Sequence, residues 1–311
     1  MRWKTKAMIQ NVVSALPPSA SYAVYYWLQR RFGGLRSINP VSRLKAGIEI
    51  WKLIQKQYCE PLGKVFLEVG TGRAPIVPLS YWLMGAEKTV SIDLNPYMKE
   101  ELIKEGLCYI FENKNEILNL FGSLLNMERF NKLLEMSRNS DVTMKKFLTL
   151  CRIDYISPGD ASDTHLPDQS IDFHTSYTVF EHIPKSVLIK ILEEGNRIIK
   201  NNGLFIHRID YSDHFSHSDN AITAINFLQY SDSEWKKYAG NRYMYMNRLR
   251  HDDYIDLFTL AGHCIVEAKT IIDKRSQEIL KHRNFNLNEK FSSKPENILA
   301  ITGAWVITQK I

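Results

Sequence analysis

Three stretches of the chain combine residue types and spacings that can do chemistry. The first is Glu68-Val69-Gly70-Thr71-Gly72-Arg73-Ala74, between an apolar run and a stretch that can form a helix. Glycines at such a junction let a ligand approach the backbone closely. A helix N-terminus adds unpaired N–H groups. The pattern differs from the dinucleotide fingerprint G-x-G-x-x-G, because its third position is Pro75, which cannot adopt positive φ. The small residue comes one place earlier, at Ala74. Glu68 at the strand end would repel a pyrophosphate and attract an ammonium group or hydroxyls. The loop therefore suits a cationic, phosphate-free nucleoside better than NAD.

Asp93, 25 residues after Glu68, closes a second apolar run and is placed to accept hydrogen bonds from ribose hydroxyls. Gly159-Asp160-Ala161 is the second stretch. Asp160 can accept from an adenine amino group, or can simply hold a turn.

The third stretch is richest in proton-transfer groups. Glu181-His182 follow one apolar run, and His207-Arg208-Ile209-Asp210-Tyr211-Ser212-Asp213-His214 end another. A histidine takes a proton from a hydroxyl near neutral pH. His182 can do this, or can tie down a loop. Alternation along a strand puts His207 and Ile209 on one side and Arg208 and Asp210 on the other. Asp210 and His214 are read as facing the substrate. A divalent-ion site from Asp210, Asp213, His214 and Asp219 ranks below direct hydrogen bonding, and no metal is assigned. Residues 226–250 mix aromatics with Arg and Asn, which suits a polyhydroxylated acceptor, a single-stranded nucleic acid or a packed insertion with a wet rim.

These residues need a scaffold with strand ends in one row. Strands are expected at 64–69, 89–94, 153–157, 171–176 and 204–210, with two more at 265–269 and 300–308. Helices are expected at 41–57, 76–84, 187–199 and 251–261. Asn202-Gly203 is expected to close the third of these. Strands alternating with helices predict a doubly wound α/β sheet. Residues 97–150 and 211–250 are insertions, the former helical. Residues 1–58 are expected to form a basic helical segment ahead of a domain at 59–311.

EVGTGRA, SIDLNP, GDASDTHLP and SIDFHTSYTVFEHIP, in this order, resemble class I S-adenosylmethionine-dependent methyltransferases of the type 11 kind. The resemblance covers residues 60–210. It implies a Rossmann-like seven-stranded sheet whose last strand is antiparallel, and S-adenosyl-L-methionine as cofactor. It implies that Glu68, Gly70 and Gly72 hold the methionine end, with Thr71 beside them. Asp93 and Leu94 would take the ribose side, and Asp160 and Ala161 the adenine. HRIDYSDHF, NFLQYSDSEW and NRLR resemble a branch of bacterial methyltransferases encoded with polysaccharide-biosynthesis functions.

The 311 residues, 44% hydrophobic and 24% charged, exclude a disordered chain, a collagen and a disulfide scaffold. The four cysteines show no zinc or redox spacing and suit a reducing, cytoplasmic compartment. The charge is uneven. Residues 1–56 carry ten Lys/Arg and one acid, net +9, and the remainder is net −3. The basic segment can meet an anionic surface, such as a membrane, or can be a solvated face. Pro17-Pro18 and the polar residues around them exclude a spanning helix at 7–29.

The expected activity is O-methylation of a small-molecule or glycan-type acceptor. A nucleic-acid methyltransferase is the second reading. Against it stand the mildly acidic catalytic region and the absence of Asn/Asp-Pro-Pro-aromatic at Ser176–Val179. A non-catalytic protein on the same fold is the third. Oligomeric state is not legible.

Overall fold

The computed structural model describes residues 1–139, 141–281 and 285–311. The chain opens with α1 (Trp3–Ser14), α2 (Pro18–Phe32) and α3 (Val41–Lys56), followed by β1 (Val65–Val69), α4 (Ile76–Leu83) and β2 (Lys88–Ile92). Four helices come next: α5 (Glu100–Glu112), α6 (Lys114–Phe121), α7 (Met127–Arg138) and α8 (Met144–Leu150). Then follow β3 (Ile153–Ile156), β4 (Ile171–Tyr177), α9 (Lys185–Ile198), β5 (Ile199–Asp210), α10 (Asp232–Ala239) and α11 (His251–Leu260). The chain closes with β6 (His263–Ile272), α12 (Lys274–Lys281), α13 (Glu296–Leu299) and β7 (Ile301–Lys310).

The strands form one seven-stranded sheet in the order β3-β2-β1-β4-β5-β7-β6. β1 pairs in parallel with β2 and β4, and β2 with β3. The last strand, β7, inserts between β5 and β6, and the final strands are antiparallel. The order reverses at β1, where open α/β sheets place their ligands. The expected seven-stranded architecture is the one observed.

The chain divides into two compact units. One comprises residues 37–177, 190–206 and 307–311; the other comprises 1–36, 178–189 and 207–306. In the first, β1 is buried almost end to end, as expected for a strand covered on both faces. Phe66 stacks on Trp51 of α3 and Tyr81 of α4, with centroids 5.9 and 4.4 Å away, and packs beside Phe173 of β4. This cluster fixes the strand whose end carries the glycine loop.

In the second unit, α1 is anchored through its N-terminal turn. Trp3 is buried and its amide donates to Asp219 at 2.7 Å. Its ring packs against Phe215 and Tyr238, with centroids 5.4 and 4.8 Å away. Arg250 is completely buried and donates to the carbonyls of Tyr211 (2.7 Å), Leu299 (2.9 Å) and Ile301. These carbonyls satisfy both terminal nitrogens of the buried guanidinium, while its Nε is left without a partner.

One boundary departs from expectation. Asn202-Gly203 does not end α9; the chain passes directly into β5 at Ile199, and Gly203 lies inside the strand. The glycine serves packing there, since a Cβ would sit 2.7 Å from the Asp172 carbonyl and 2.5 Å from Ile199.

Arg250→Met tests the buried clamp. It removes the donors to three carbonyls and should cost about 3 kcal/mol in urea unfolding, well above the effect of an exposed Arg→Met change.

Candidate active site

The loop after β1 is shaped by two left-handed glycines, Gly70 at φ +79° and Gly72 at φ +78°. The Gly70 amide donates to the Ile92 carbonyl at 2.8 Å. The Gly72 amide donates to both Asp93 carboxylate oxygens, at 3.0 and 3.3 Å. Thr71 is buried, with its hydroxyl bonded to Ser91. The ends of β1 and β2 are thus stitched together, and the loop backbone turns outward. A Cβ at Gly72 would meet nothing within 4 Å, so the strain there comes from φ alone and the space beside the loop is open.

Glu68, at 2% exposure, lies beneath this loop, and its Oε2 has no hydrogen-bond partner. Burial pushes its pKa up to about 8, against the pull of Arg43. Burial also raises Asp93 to about 6, while its bond from Gly72 works the other way. A buried acid with a free oxygen is costly unless a cation or donor completes it. Leu94 is 71% exposed and offers an apolar surface beside Asp93. Ala161 is buried, while Asp160 accepts from the amide and hydroxyl of Ser162 at 2.8 and 2.7 Å. That arrangement is the turn-holding role that its sequence context also allowed. All eight of these residues lie in the same unit.

The other candidate residues belong to the second unit. His182 ends a short 3-10 turn, Phe180–His182, and its Nδ1 is 2.8 Å from the Tyr245 carbonyl. A carbonyl can only accept, so Nδ1 carries the proton and Nε2 keeps its lone pair. Part of His182 stays in solvent, yet burial of the rest and then the adjacent His214 lower its pKa, which keeps it neutral. The His182 and His214 rings are 4.9 Å apart. Asp210 lies at the end of β5, with His214 Nε2 at 3.4 Å and His217 Nε2 at 3.7 Å from its Oδ2. Burial opposes its charge, but His214 and Ser212 hold it well below the usual carboxylate range. Glu181 is buried with neither carboxylate oxygen in a well-formed hydrogen bond, and burial raises its pKa well above normal.

The four-residue ion site considered from sequence does not assemble. Asp213 is buried and accepts from Asn226 (2.9 Å) and the Phe215 amide, and Asp219 accepts from Trp3 and Ala221. Both are occupied in building the loop. His217, which sequence reasoning did not select, stands beside Asp210 instead. The signal was present in its spacing, seven residues after Asp210 and three after His214.

Residues 114–207 match the family model described as a methyltransferase domain. Over those residues the chain is similar to a methyltransferase domain. The matched segment holds β3 and β4, and the sheet order supplies the rest of the fold. Solved structures are also similar. One is an S-adenosylmethionine-dependent methyltransferase from Methanosarcina mazei, 16% identical, covering 83% of this chain and 97% of that one, with a TM-score of 0.45. Another, from Mesorhizobium loti, is 10% identical over 86% of this chain and 100% of that one, with a TM-score of 0.43. A geranyl diphosphate methyltransferase in complex with GPP and sinefungin is 8% identical over 86% and 78%, with a TM-score of 0.47. No curated protein matches the chain.

S-adenosylmethionine is the cofactor that a methyltransferase domain implies, and the loop residues fit it. The buried orphan oxygen of Glu68 suits a cationic group, and the turned-out glycine backbone leaves room for close approach.

The Glu68 titration predicts how binding depends on pH. Below about pH 8 the free protein holds Glu68 protonated, so pairing it with an ammonium group requires loss of that proton. S-adenosylhomocysteine affinity should therefore rise from pH 6 toward pH 8, approaching about tenfold per unit, then level off. In Glu68→Gln it should be weaker at pH 8, with most of this slope gone. Calorimetry at several pH values checks this.

Proposed function

We propose that this methyltransferase methylates a hydroxyl group on a small-molecule or glycan-type acceptor. The observation that carries the reading is the neutral His182, oriented by the Tyr245 carbonyl beside the Asp210–His214 pair. When bound, S-adenosylmethionine supplies an electrophilic methyl group on a sulfonium. In our reading, Glu68, Gly70, Thr71 and Gly72 hold its methionine end, Asp93 and Leu94 its ribose side, and Asp160 and Ala161 its adenine. The Nε2 lone pair of His182 would accept the proton that the acceptor hydroxyl loses on methylation. Asp210 and His214 orient the acceptor. Alignment supplies most of the rate, because displacement needs the three reacting atoms in line.

The test is formation of S-adenosylhomocysteine against a panel of hydroxylated small molecules and saccharides. His182→Ala and Asp210→Asn should each lower turnover at least about 100-fold while leaving S-adenosylhomocysteine affinity within about twofold. Full turnover in both variants would remove these residues from the mechanism.

A second element of the proposal is peripheral contact with an anionic, cytoplasmic membrane face through α1 and α2. No helix among the described residues is long and apolar enough to cross a membrane. Met8, Val12, Val24, Trp27 and Phe32 are nevertheless exposed, Trp27 at 58% and Phe32 at 70%. Exposed Arg2, Lys4, Arg31 and Arg36 accompany them. Apolar side chains flanked by cations are what an interfacial helix presents to anionic lipid. Vesicles rich in phosphatidylglycerol should sediment the protein, and Val12→Glu/Trp27→Glu should weaken this about tenfold or more. Equal binding to phosphatidylcholine vesicles, or none to either, would contradict it.

A further inference from the structure

The end of β5 gathers ligand-type atoms more closely than hydrogen bonding to an acceptor requires. Ser212 folds back on Asp210, donating from its amide and hydroxyl to Oδ1 at 2.9 and 2.6 Å. This fixes the carboxylate and leaves Oδ2 turned toward two imidazoles. His214 Nε2 and His217 Nε2 approach that oxygen at 3.4 and 3.7 Å, and all three ligand atoms lie within 4.8 Å of one another. A cation bonded at about 2.1 Å to each in tetrahedral geometry would hold neighbouring ligands about 3.4 Å apart. The two distances to Asp210 Oδ2 are already close to that.

Two further observations point to a ligand. His214 Nε2 is buried and makes no well-aligned hydrogen bond. Next to it, Glu181, His182 and His214 form a second group of ligand atoms within 4.8 Å, and both Glu181 oxygens are buried without a partner. Both groups share His214, so negative charge and imidazole lone pairs converge on one place. A cavity of about 250 Å³ lined by Asp210, Ser212 and His217 gives access. Arg208 also lines it, but its guanidinium is turned to the carbonyls of Ile209 and Ala304 at 2.7 and 3.2 Å.

We propose that Asp210, His214 and His217 bind one divalent transition-metal ion. Two imidazoles and one carboxylate select a borderline cation such as zinc, cobalt or nickel over magnesium, calcium or manganese, which prefer oxygen. His217 Nε2 is bonded to the Ser212 hydroxyl at 2.9 Å and exchanges that contact for the ion, with Ser212 continuing to orient Asp210. Three protein ligands leave a coordination position open, which an acceptor hydroxyl can take. That last role rests on the methyl-transfer reading; binding of the ion does not.

The experiment uses the full chain after chelator treatment, titrated with Co(II) and followed by visible absorption, then back-titrated with Zn(II). The wild type should take up one equivalent, with d–d bands that Zn(II) abolishes. His217→Ala and Asp210→Asn should weaken uptake at least about 100-fold, while His217→Gln restores none of it. Circular dichroism and S-adenosylhomocysteine binding, unchanged in the variants, show that each is folded. Absence of bands in the wild type would overturn the proposal. So would uptake undiminished in both variants, because the ion would then sit elsewhere. Loss of cofactor binding in an otherwise metal-replete wild type would instead contradict the methyltransferase reading and leave this site standing.

Discussion

The hydrogen bond from the Gly72 amide to the Asp93 carboxylate is the constraint on which the cofactor side depends. It joins the ends of β1 and β2, beside the point where the sheet order reverses at β1. Gly70 and Gly72 are both left-handed, and the Gly72 amide's bond to Asp93 holds the loop in that conformation. In our reading the same carboxylate also meets ribose hydroxyls, which would couple scaffold and recognition through one side chain. Glu68 adds a different device. Its buried, unfilled oxygen keeps a charge partly suppressed, so in our reading recognition of the methionine end would be coupled to a proton.

The second unit solves a different problem, that of packing a polar, aromatic insertion. Arg250 and Asp213 are buried polar groups bonded to backbone and amide partners, and they fix the loop around His214 from both sides in sequence. The aromatic cluster of Trp3, Phe215 and Trp235 supplies the apolar burial that such polar groups do not. The result is a rigid frame in which Asp210, His214 and His217 are held close together.

Much of the sheet was legible because a parallel strand buried on both faces reads as an apolar run, as VFLEV does. The glycine loop was legible because its acid, its two glycines and the later Asp93 have separate physical reasons to be where they are. Gly203 misled because a glycine after a helical stretch reads as a stop, whereas its real constraint is the Asp172 carbonyl across the sheet. Asp213 misled for a similar reason. It is chemically identical to Asp210, and only the folded loop turns one toward the imidazoles and the other toward Asn226. The partnerless state of Glu181 and the Tyr245 carbonyl that sets the His182 tautomer depend on contacts distant in sequence, which no local pattern reports.

The most direct test of the central claim is calorimetric titration of the protein with S-adenosylhomocysteine, comparing wild type with Asp93→Ala. The account predicts one site of micromolar affinity in the wild type and its loss in the variant, because the substitution removes both the loop's anchor and the ribose acceptor. Equal affinity in the two proteins, or no binding by well-folded wild type, would contradict it.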